Sequence, residues 1–569
     1  MNVVDFISKY LHVQGVTHIF ELSGGMITQI IDSIYREGNI NIVSVKHEQA
    51  AAFAAEGYAR ETNIPGIALA TSGPGATNLL TGIGSCFFDS VPAIFITGQV
   101  NTHELKGDKK IRQLGFQETD VVSMAEPICK KVYQLKKGNE IVWVLKEAFE
   151  LALSGRMGPV LIDIPMNVQR EFAIEEYAFE RIVPQKKEIK LPDNFWLEFN
   201  QNLQKSERPI ILIGRGVIND KSLFRRWAEQ INIPVVTSLL AVDAMESNHH
   251  LKVGMIGSYG NRWANIAIGN ADFLVVIGSR LDIKQTGADV AGFSRNKIIY
   301  QVDIDESEIN NRVSGVIGIS TTVEDFLNQA IQNTNGKETA NWLKKINEDR
   351  LAFLDTNELK EIQGMNPNVF IKKMSENSSL AKSYTADVGN HQMWAAQSLV
   401  LHGNQTFHSS GGMGAMGFSL PAAIGIALAN DKPVVSISGD GGFQLNIQEL
   451  QTIVHHQIPI KIVIMNNESL GMIRQFQDSY FDGRHQSTVW GYSAPDFQKI
   501  ALAYGIDAMT IEKEEEIESA VQKMWLEPNK PFLLQVMIDK NTNVYPKIAF
   551  GKPITEMEPD ALPIQIEST

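Results

Sequence analysis

Only two cysteines, Cys86 and Cys129, occur in 569 residues, too few for a disulfide framework or a cysteine zinc site. That scarcity points to a reducing, cytoplasmic setting. No run reaches the roughly eighteen uncharged apolar residues that a membrane helix needs, so no membrane partner is expected. The opening Met1-Asn2-Val3-Val4-Asp5 lacks the charged head and apolar block of an export signal. Positive charge is also in short supply, with 51 Lys and Arg against 65 Asp and Glu and a net charge of −14. This excludes a general attraction to nucleic acid or anionic lipid. Anionic ligands must then be held by local devices such as metal ions, helix N-termini or single arginines. What is present is a 44% apolar, 20% charged composition, enough for several buried cores. The length suggests three or four domains.

Short β-rich runs alternate with helix-length segments. Ile40–Val45, Ile67–Ala70, Ala93–Thr97 and Val160–Ile164 read as buried strands, with helices predicted at Gln49–Arg60 and Ile141–Leu153. Further strands are expected at Ile210–Ile213, Phe273–Ile277, Lys297–Val302, Ser383–Asp387, Val434–Ser438, Lys461–Met465 and Phe532–Ile538. Strands separated in this way imply βαβ units, hence an α/β protein with parallel sheets flanked by helices. Residues 170–195, with the punctuated run Val183-Pro184-Gln185-Lys186-Lys187, and the polar, charge-dense stretch 333–366, expected as a helix and then a connector, read as linkers. The cuts give three domains, 1–175, 190–335 and 360–545, and a proline-rich tail at 546–569, expected as an extended arm over the surface or an active site.

The strand Val434–Ser438 runs into Gly439-Asp440-Gly441-Gly442-Phe443, which puts the Asp440 carboxylate where open α/β sheets bind ligands. Twenty-four residues separate Gly441 from Asn466, room for a helix (Ile447–His455) and the next strand. Asp440 and Asn467 are therefore expected at the ends of neighbouring strands. A carboxylate, an amide oxygen and the main-chain carbonyl of Ser469 form a hard oxygen set suited to Mg²⁺ shared with a diphosphate. The glycines let backbone amides approach phosphate oxygens. Gly-Asp-Gly alone is more often a simple strand-end turn; the asparagine pair at this distance makes a metal-bridged diphosphate site the better reading.

Gly412-Met413-Gly414-Ala415-Met416-Gly417 fits the dinucleotide fingerprint G-x-G-x-x-G. It has no acidic residue ending a following strand, however, and Pro421 falls in the first helical turn. Glu48 opens a predicted helix among apolar residues. Such a glutamate commonly complements the helix dipole. Thiamine chemistry instead needs a carboxylate against the aminopyrimidine ring, and burial would favour proton sharing there.

With these residues in view, the chain resembles the acetohydroxyacid (acetolactate) synthase family of thiamine-diphosphate enzymes. The matching stretches are His47-Glu48-Gln49-Ala50-Ala51, Glu56-Gly57-Tyr58-Ala59-Arg60, Thr71-Ser72-Gly73-Pro74-Gly75-Ala76-Thr77-Asn78, Phe116-Gln117-Glu118, Asp387-Val388-Gly389 with His391-Gln392-Met393-Trp394, and Leu470-Gly471-Met472-Ile473-Arg474-Gln475. The resemblance implies a pyrimidine-binding domain, a central flavin-type domain and a diphosphate-binding domain, the first and third alike in fold. It implies an active site between two chains of a homodimer or homotetramer, and leaves room for a regulatory subunit.

It assigns Glu48 as the activating carboxylate and places Phe116, Gln117 and Gly24 at the reaction centre. Cofactor contacts fall to Val388, Gly389, Asn390, His391, Gly439, Asp440, Gly441, Gly442, Asn467, Ser469 and Met472, with Gly414 facing the amino group and Met416 as the wedge that bends thiamine. FAD is implied at Gly214, Arg215, Gly216, Arg280, Asp303 and Asp305. Strand-end glycines and an arginine suit a pyrophosphate, although Asp303 and Asp305 also read as plain turn carboxylates.

Four positions depart from the biosynthetic pattern: Glu21-Leu22-Ser23 before Gly24-Gly25, Asn390, Met166 and Phe476. Met166 and Phe476, with the retained Arg280, are the candidate substrate pocket. The expected reaction is decarboxylation of pyruvate and transfer of its two-carbon remainder to a second carbonyl compound, by default giving acetolactate. Transfer to another ketone such as a keto-deoxysugar and flavin-dependent oxidation remain as alternatives.

Overall fold

The computed structural model describes residues 1–172, 174, 177–183, 189–359 and 362–564. Three six-stranded sheets, each wholly parallel, follow one another along the chain. The first comprises β1 (His18–Leu22), β2 (Asn41–Ser44), β3 (Gly66–Ala70), β4 (Ala93–Gln99), β5 (Lys131–Gln134) and β6 (Pro159–Pro165), in spatial order 2-1-3-4-6-5. The third repeats that order with β13 (Ser383–Ala386), β14 (Thr406–Ser409), β15 (Val434–Gly439), β16 (Ile460–Asn466), β17 (Asp507–Ile511) and β18 (Phe532–Met537). The middle sheet differs. Its strands are β7 (Pro209–Ile213), β8 (Val235–Thr237), β9 (Lys252–Met255), β10 (Phe273–Ile277), β11 (Ile298–Asp303) and β12 (Ile317–Ser320). They lie in the order β12-β11-β10-β7-β8-β9, the dinucleotide-binding arrangement.

Strand order decides where ligands fit, because loops diverge at a topological switch point and leave a crevice at the strands' carboxyl ends. The switch points here are β1/β3, β7/β10 and β13/β15. The inner strands β3, β4, β6, β7, β10, β15 and β16 are buried on both faces, so they read as continuous apolar runs, whereas β2, β5, β12 and β17 are partly exposed. Expected strands appear with bounds shifted by a residue or so, Ile40–Val45 becoming Asn41–Ser44, for example.

Helix Glu48–Thr62 is buried along Ala50–Arg60, because it is sandwiched between the first sheet and helix Ser419–Asn430 of the third unit. Glycine makes this approach feasible: a Cβ on Gly57 would stand 2.3 Å from the Ala422 carbonyl oxygen, and one on Gly425 would stand 1.9 Å from that of Ala54.

Two expectations are corrected, the helix at 447–455 and the tail. The helix expected at Ile447–His455 is a 3-10 turn, Ile447–Glu449, followed by an α-helix, Leu450–His456. The helix expected within 333–366 is present as Ala340–Ala352. The tail is not an extended arm. Its strands β19 (Lys547–Ile548) and β20 (Met557–Glu558) form an antiparallel hairpin, because Ile548, Ile554 and Met557 join an apolar cluster with Trp263 and Ile268 of the middle unit. Arg262 fastens it there, pairing with Glu358 at 2.7 Å and Asp560 at 3.2 Å. The run Pro184-Gln185-Lys186-Lys187 lies outside the described residues. No described helix is long and apolar enough to cross a membrane.

Candidate active site

The β13/β15 and β7/β10 crevices open into one cavity of about 760 Å³. At its third-unit end, β15 delivers Gly439 and Asp440 while β16 delivers Asn467 and, two residues on, Ser469. The amide oxygen position of Asn467 lies 2.7 Å from the Ser469 carbonyl oxygen and 3.2 Å from Asp440 Oδ1. Three acceptors facing one another need either a reversed amide, whose nitrogen donates to both neighbours, or a shared cation. Among the described residues no three His, Cys, Asp or Glu side chains gather as a metal cluster, so this mixed oxygen set is the hard-cation candidate.

Burial raises the Asp440 carboxyl to about 6, and the Tyr492 hydroxyl, donating to Oδ2 at 2.8 Å, acts in the opposite direction. A cation would hold this buried carboxyl in its charged form.

The walls fit a diphosphate. His391 lies against Gly439, where a Cβ would meet its ring at 2.8 Å, and Gly471 has Asn390 Nδ2 at 2.5 Å from its would-be Cβ. Asn390 Oδ1, His391 Nε2 and Ser469 Oγ are buried without hydrogen-bond partners, a costly arrangement unless a ligand completes it. Burial lowers the His391 pKa to about 3, so its ring is neutral. Helix Asn390–Ser398 begins here without a side-chain cap, and its first residues line the cavity, as suits an anion. Met416 stands beside Gly441, its Cε 3.5 Å from that residue's would-be Cβ. Val388, Gly389, Gly414, Gly442 and Met472 complete this wall.

At the middle-unit end Gly214, Arg215, Gly216, Arg280 and Asp303 line the same cavity. Gly214 and Gly278, from the two switch-point strands, approach so closely that a Cβ on Gly214 would meet the Gly278 oxygen at 2.2 Å. The Arg215 guanidinium is desolvated, with its pKa lowered to about 10 and its Nε unpartnered. A half-buried cation with an open donor beside closely packed glycines suits a pyrophosphate. Burial also raises the Asp303 carboxyl. Asp305 does not line the cavity: Ser307 and Arg156 hold it, the latter at 3.1 Å.

The remaining expected residues form a separate group at the β1/β3 switch point. Glu48 accepts a hydrogen bond from Asn78 Nδ2 at 2.9 Å, and its Oε1 is 3.2 Å from the position of a Cβ on Gly75. Gly24 abuts Thr71, and Gly73 abuts Gln117. Phe116 projects into solvent, 82% exposed. None of these residues lines the cavity of their own chain, and neither do Met166 or Phe476. Phe476 packs against Tyr480 in a tilted arrangement with ring centroids 4.7 Å apart.

Sequence reasoning missed Tyr492, which sits in an irregular stretch with no spacing signal. It also gave no role to Asp387, whose buried carboxylate accepts the amides of Val388, Gly417 and Ser419 and so ties the glycine loop to β13.

Two switch-point sites built on matching sheets, one holding a cation-and-diphosphate cradle and the other a helix-opening glutamate, define a thiamine-diphosphate-type enzyme. The family models agree in order: the N-terminal TPP-binding domain of thiamine pyrophosphate enzymes matches residues 1–124, the central domain 198–330 and the C-terminal TPP-binding domain 387–536. The chain belongs to the thiamine pyrophosphate enzyme family. It is similar throughout to acetolactate synthases. It is 36% identical to that of Arthrospira platensis, with 96% of each chain covered. It is 34% identical to the isozyme 2 large subunit of Escherichia coli, covering 98% of this chain and 99% of that one. It is 37% identical to the probable large subunit of Methanocaldococcus jannaschii, covering 100% and 96%.

Proposed function

We propose that this thiamine-diphosphate carboligase decarboxylates pyruvate and joins the two-carbon remainder to a second carbonyl compound, a second pyruvate by default, to give acetolactate. The observation that carries this reading is the convergence of Asp440, Asn467 and Ser469 at the ends of β15 and β16, beneath a cradle of unpartnered polar atoms. These three residues would hold Mg²⁺, and His391, Asn390 and the amides around Gly439–Gly442 would hold the diphosphate. Thiamine diphosphate supplies a carbon nucleophile and an electron sink for loss of CO₂.

The chain's own residues do the rest. Met416 would support the bound cofactor from the cavity wall, and the Gly414 carbonyl would accept from its amino group. Glu48 shares a proton with the pyrimidine ring. Phe116, Gln117 and Gly24 close the reaction centre and exclude water. Arg280 neutralises a substrate carboxylate. Arg215 and the Gly214, Gly216 turn hold FAD. Because Glu48 stands outside its own chain's cavity, it serves the cavity of a second copy, and the active unit is at least a homodimer.

Subunit complementation tests this directly. Glu48→Gln and Asp440→Ala variants are each expected to be inactive, and co-assembly of the two should restore pyruvate turnover through hybrid dimers carrying one intact site. Co-assembled variants that remain inactive, while each separately still dimerises, contradict the shared site.

A further inference from the structure

Gln117 has a backbone φ of 63°, a left-handed conformation that is uncommon without glycine and that persists only when its surroundings enforce it. What enforces it is traceable. Asp163, fully buried at the end of β6, accepts three hydrogen bonds: from Thr97 Oγ1 at 2.6 Å, Gln134 Nε2 at 2.9 Å and Gln99 Nε2 at 3.1 Å. A carboxylate only accepts, so it orients the Gln99 amide, nitrogen inward and oxygen outward.

The Gln99 nitrogen also donates to the Thr119 carbonyl at 2.9 Å, and its oxygen accepts the Ser72 hydroxyl at 3.0 Å. That hydroxyl is shared with the Gln117 carbonyl at 2.8 Å. The carbonyls of Gln117 and of Thr119, two residues on, are thereby tied to one buried acid. On the other flank, Gly73 (φ 68°) packs against Gln117, where a Cβ would stand 3.1 Å from the Gln117 Cβ.

We infer that Asp163 is a positioning residue, which through Gln99 and Ser72 holds the Phe116–Gln117 turn at the reaction centre. This rests on the reading of Gln117 as part of that centre. Burial raises the Asp163 carboxyl to about 6, and its three donors and the nearby Asp120 set the remainder of the shift. The three donors that converge on its two oxygens suit the charged form, as an acceptor-only anchor requires. An amide in its place presents NH₂ toward neighbours that also donate, and the Gln99 amide must turn round. The polarity at Ser72 is then reversed.

Asp163→Asn, Ser72→Ala and Gln117→Ala test the inference by two independent readouts. Hydrogen exchange of the amides at 113–119 is expected to accelerate in Asp163→Asn and Ser72→Ala while the rest of the first unit stays protected. In the assembled enzyme with thiamine diphosphate and Mg²⁺, both variants should lose about ten- to hundredfold in kcat. Half-saturation by the cofactor should not change, and neither loss should add fully to that of Gln117→Ala. Unchanged exchange at 113–119 in both variants overturns the relay, even if activity falls. Faster exchange with unchanged turnover in Gln117→Ala overturns instead the placement of Gln117 at the centre. Ser72→Ala removes one buried hydroxyl and leaves the Asp163 carboxylate with its donors, so it keeps the test open if Asp163→Asn does not fold.

Discussion

Tyr492 donates its hydroxyl to Asp440 Oδ2 at 2.8 Å, leaving Oδ1 to face Asn467 and Ser469. One carboxylate oxygen is thus oriented by a neighbour and the other is offered to the site. Residues that orient a metal ligand typically govern about ten- to hundredfold of metal affinity. Tyr492→Phe is accordingly expected to raise the Mg²⁺ concentration for half-maximal thiamine diphosphate binding by about tenfold, measured by calorimetry at fixed cofactor. Asp440→Ala should abolish that binding. Equal Mg²⁺ dependence in Tyr492→Phe and the parent protein would remove the orienting role.

The helix pair Glu48–Thr62 and Ser419–Asn430 depends on two missing side chains. A methyl at Gly57 or Gly425 must displace backbone rather than a flexible side-chain end. Gly425→Ala should cost about 3 kcal/mol or more, read as a shift in the urea midpoint. Gly38→Ala provides a contrast, since nothing lies within 4 Å of its would-be Cβ. Its positive φ is then the only source of strain, and the loss should be smaller, about 1 kcal/mol.

Glu61 joins the same helix to the third sheet, accepting from Thr406 Oγ1 at 2.6 Å and His408 Nε2 at 2.7 Å. Burial alone would raise its pKa, but the His408 and Thr406 hydrogen bonds and the Lys382 charge hold it well below the ordinary 4.5. A depressed acid adds stability above its unfolded pKa and loses it as pH falls toward the folded one. Glu61→Gln should therefore destabilise the protein at pH 7. The gap to the parent should narrow as pH is lowered through about 4.5 and below, in denaturant titrations across that range. A gap independent of pH would contradict the assignment.

Arg215 is the desolvated cation at the dinucleotide crevice. Arg215→Met should yield protein with little or no bound flavin, read from its absorbance after reconstitution with FAD, while the thermal transition of the ligand-free chain changes little. Full flavin occupancy in this variant would remove the pyrophosphate role.

The thiamine end of the cavity was legible because its residues are consecutive: Gly439–Gly442 and Asn467–Ser469 follow directly from buried strands whose apolar runs are unmistakable. The central strand β1 was not legible, because its His18 and Glu21 break the apolar pattern. Glu21 is nonetheless buried, accepting from Ser44 and pushed toward its neutral form by burial. The edge strands β5 and β17 are half-exposed and carry too little periodicity to register. Contacts assembled from distant segments were likewise hidden, among them Tyr492 on Asp440 and the Asp163 relay to Gln117. The tail misled for a related reason. Its prolines signal interrupted structure, whereas its few apolar residues, Ile548, Ile554 and Met557, find a groove on the middle unit that no local pattern announces.

The most direct measurement follows carbon-13-labelled pyruvate by NMR in the presence of the protein, Mg²⁺ and thiamine diphosphate, with CO₂ and oxygen monitored together. Carboligation predicts two pyruvates consumed for each CO₂ released, a new carbon–carbon bond between labelled fragments and no oxygen uptake. Adding a preferred acceptor should replace the second pyruvate in the product. No CO₂ release with any acceptor, or release coupled to oxygen uptake with no new carbon–carbon bond, would contradict the account.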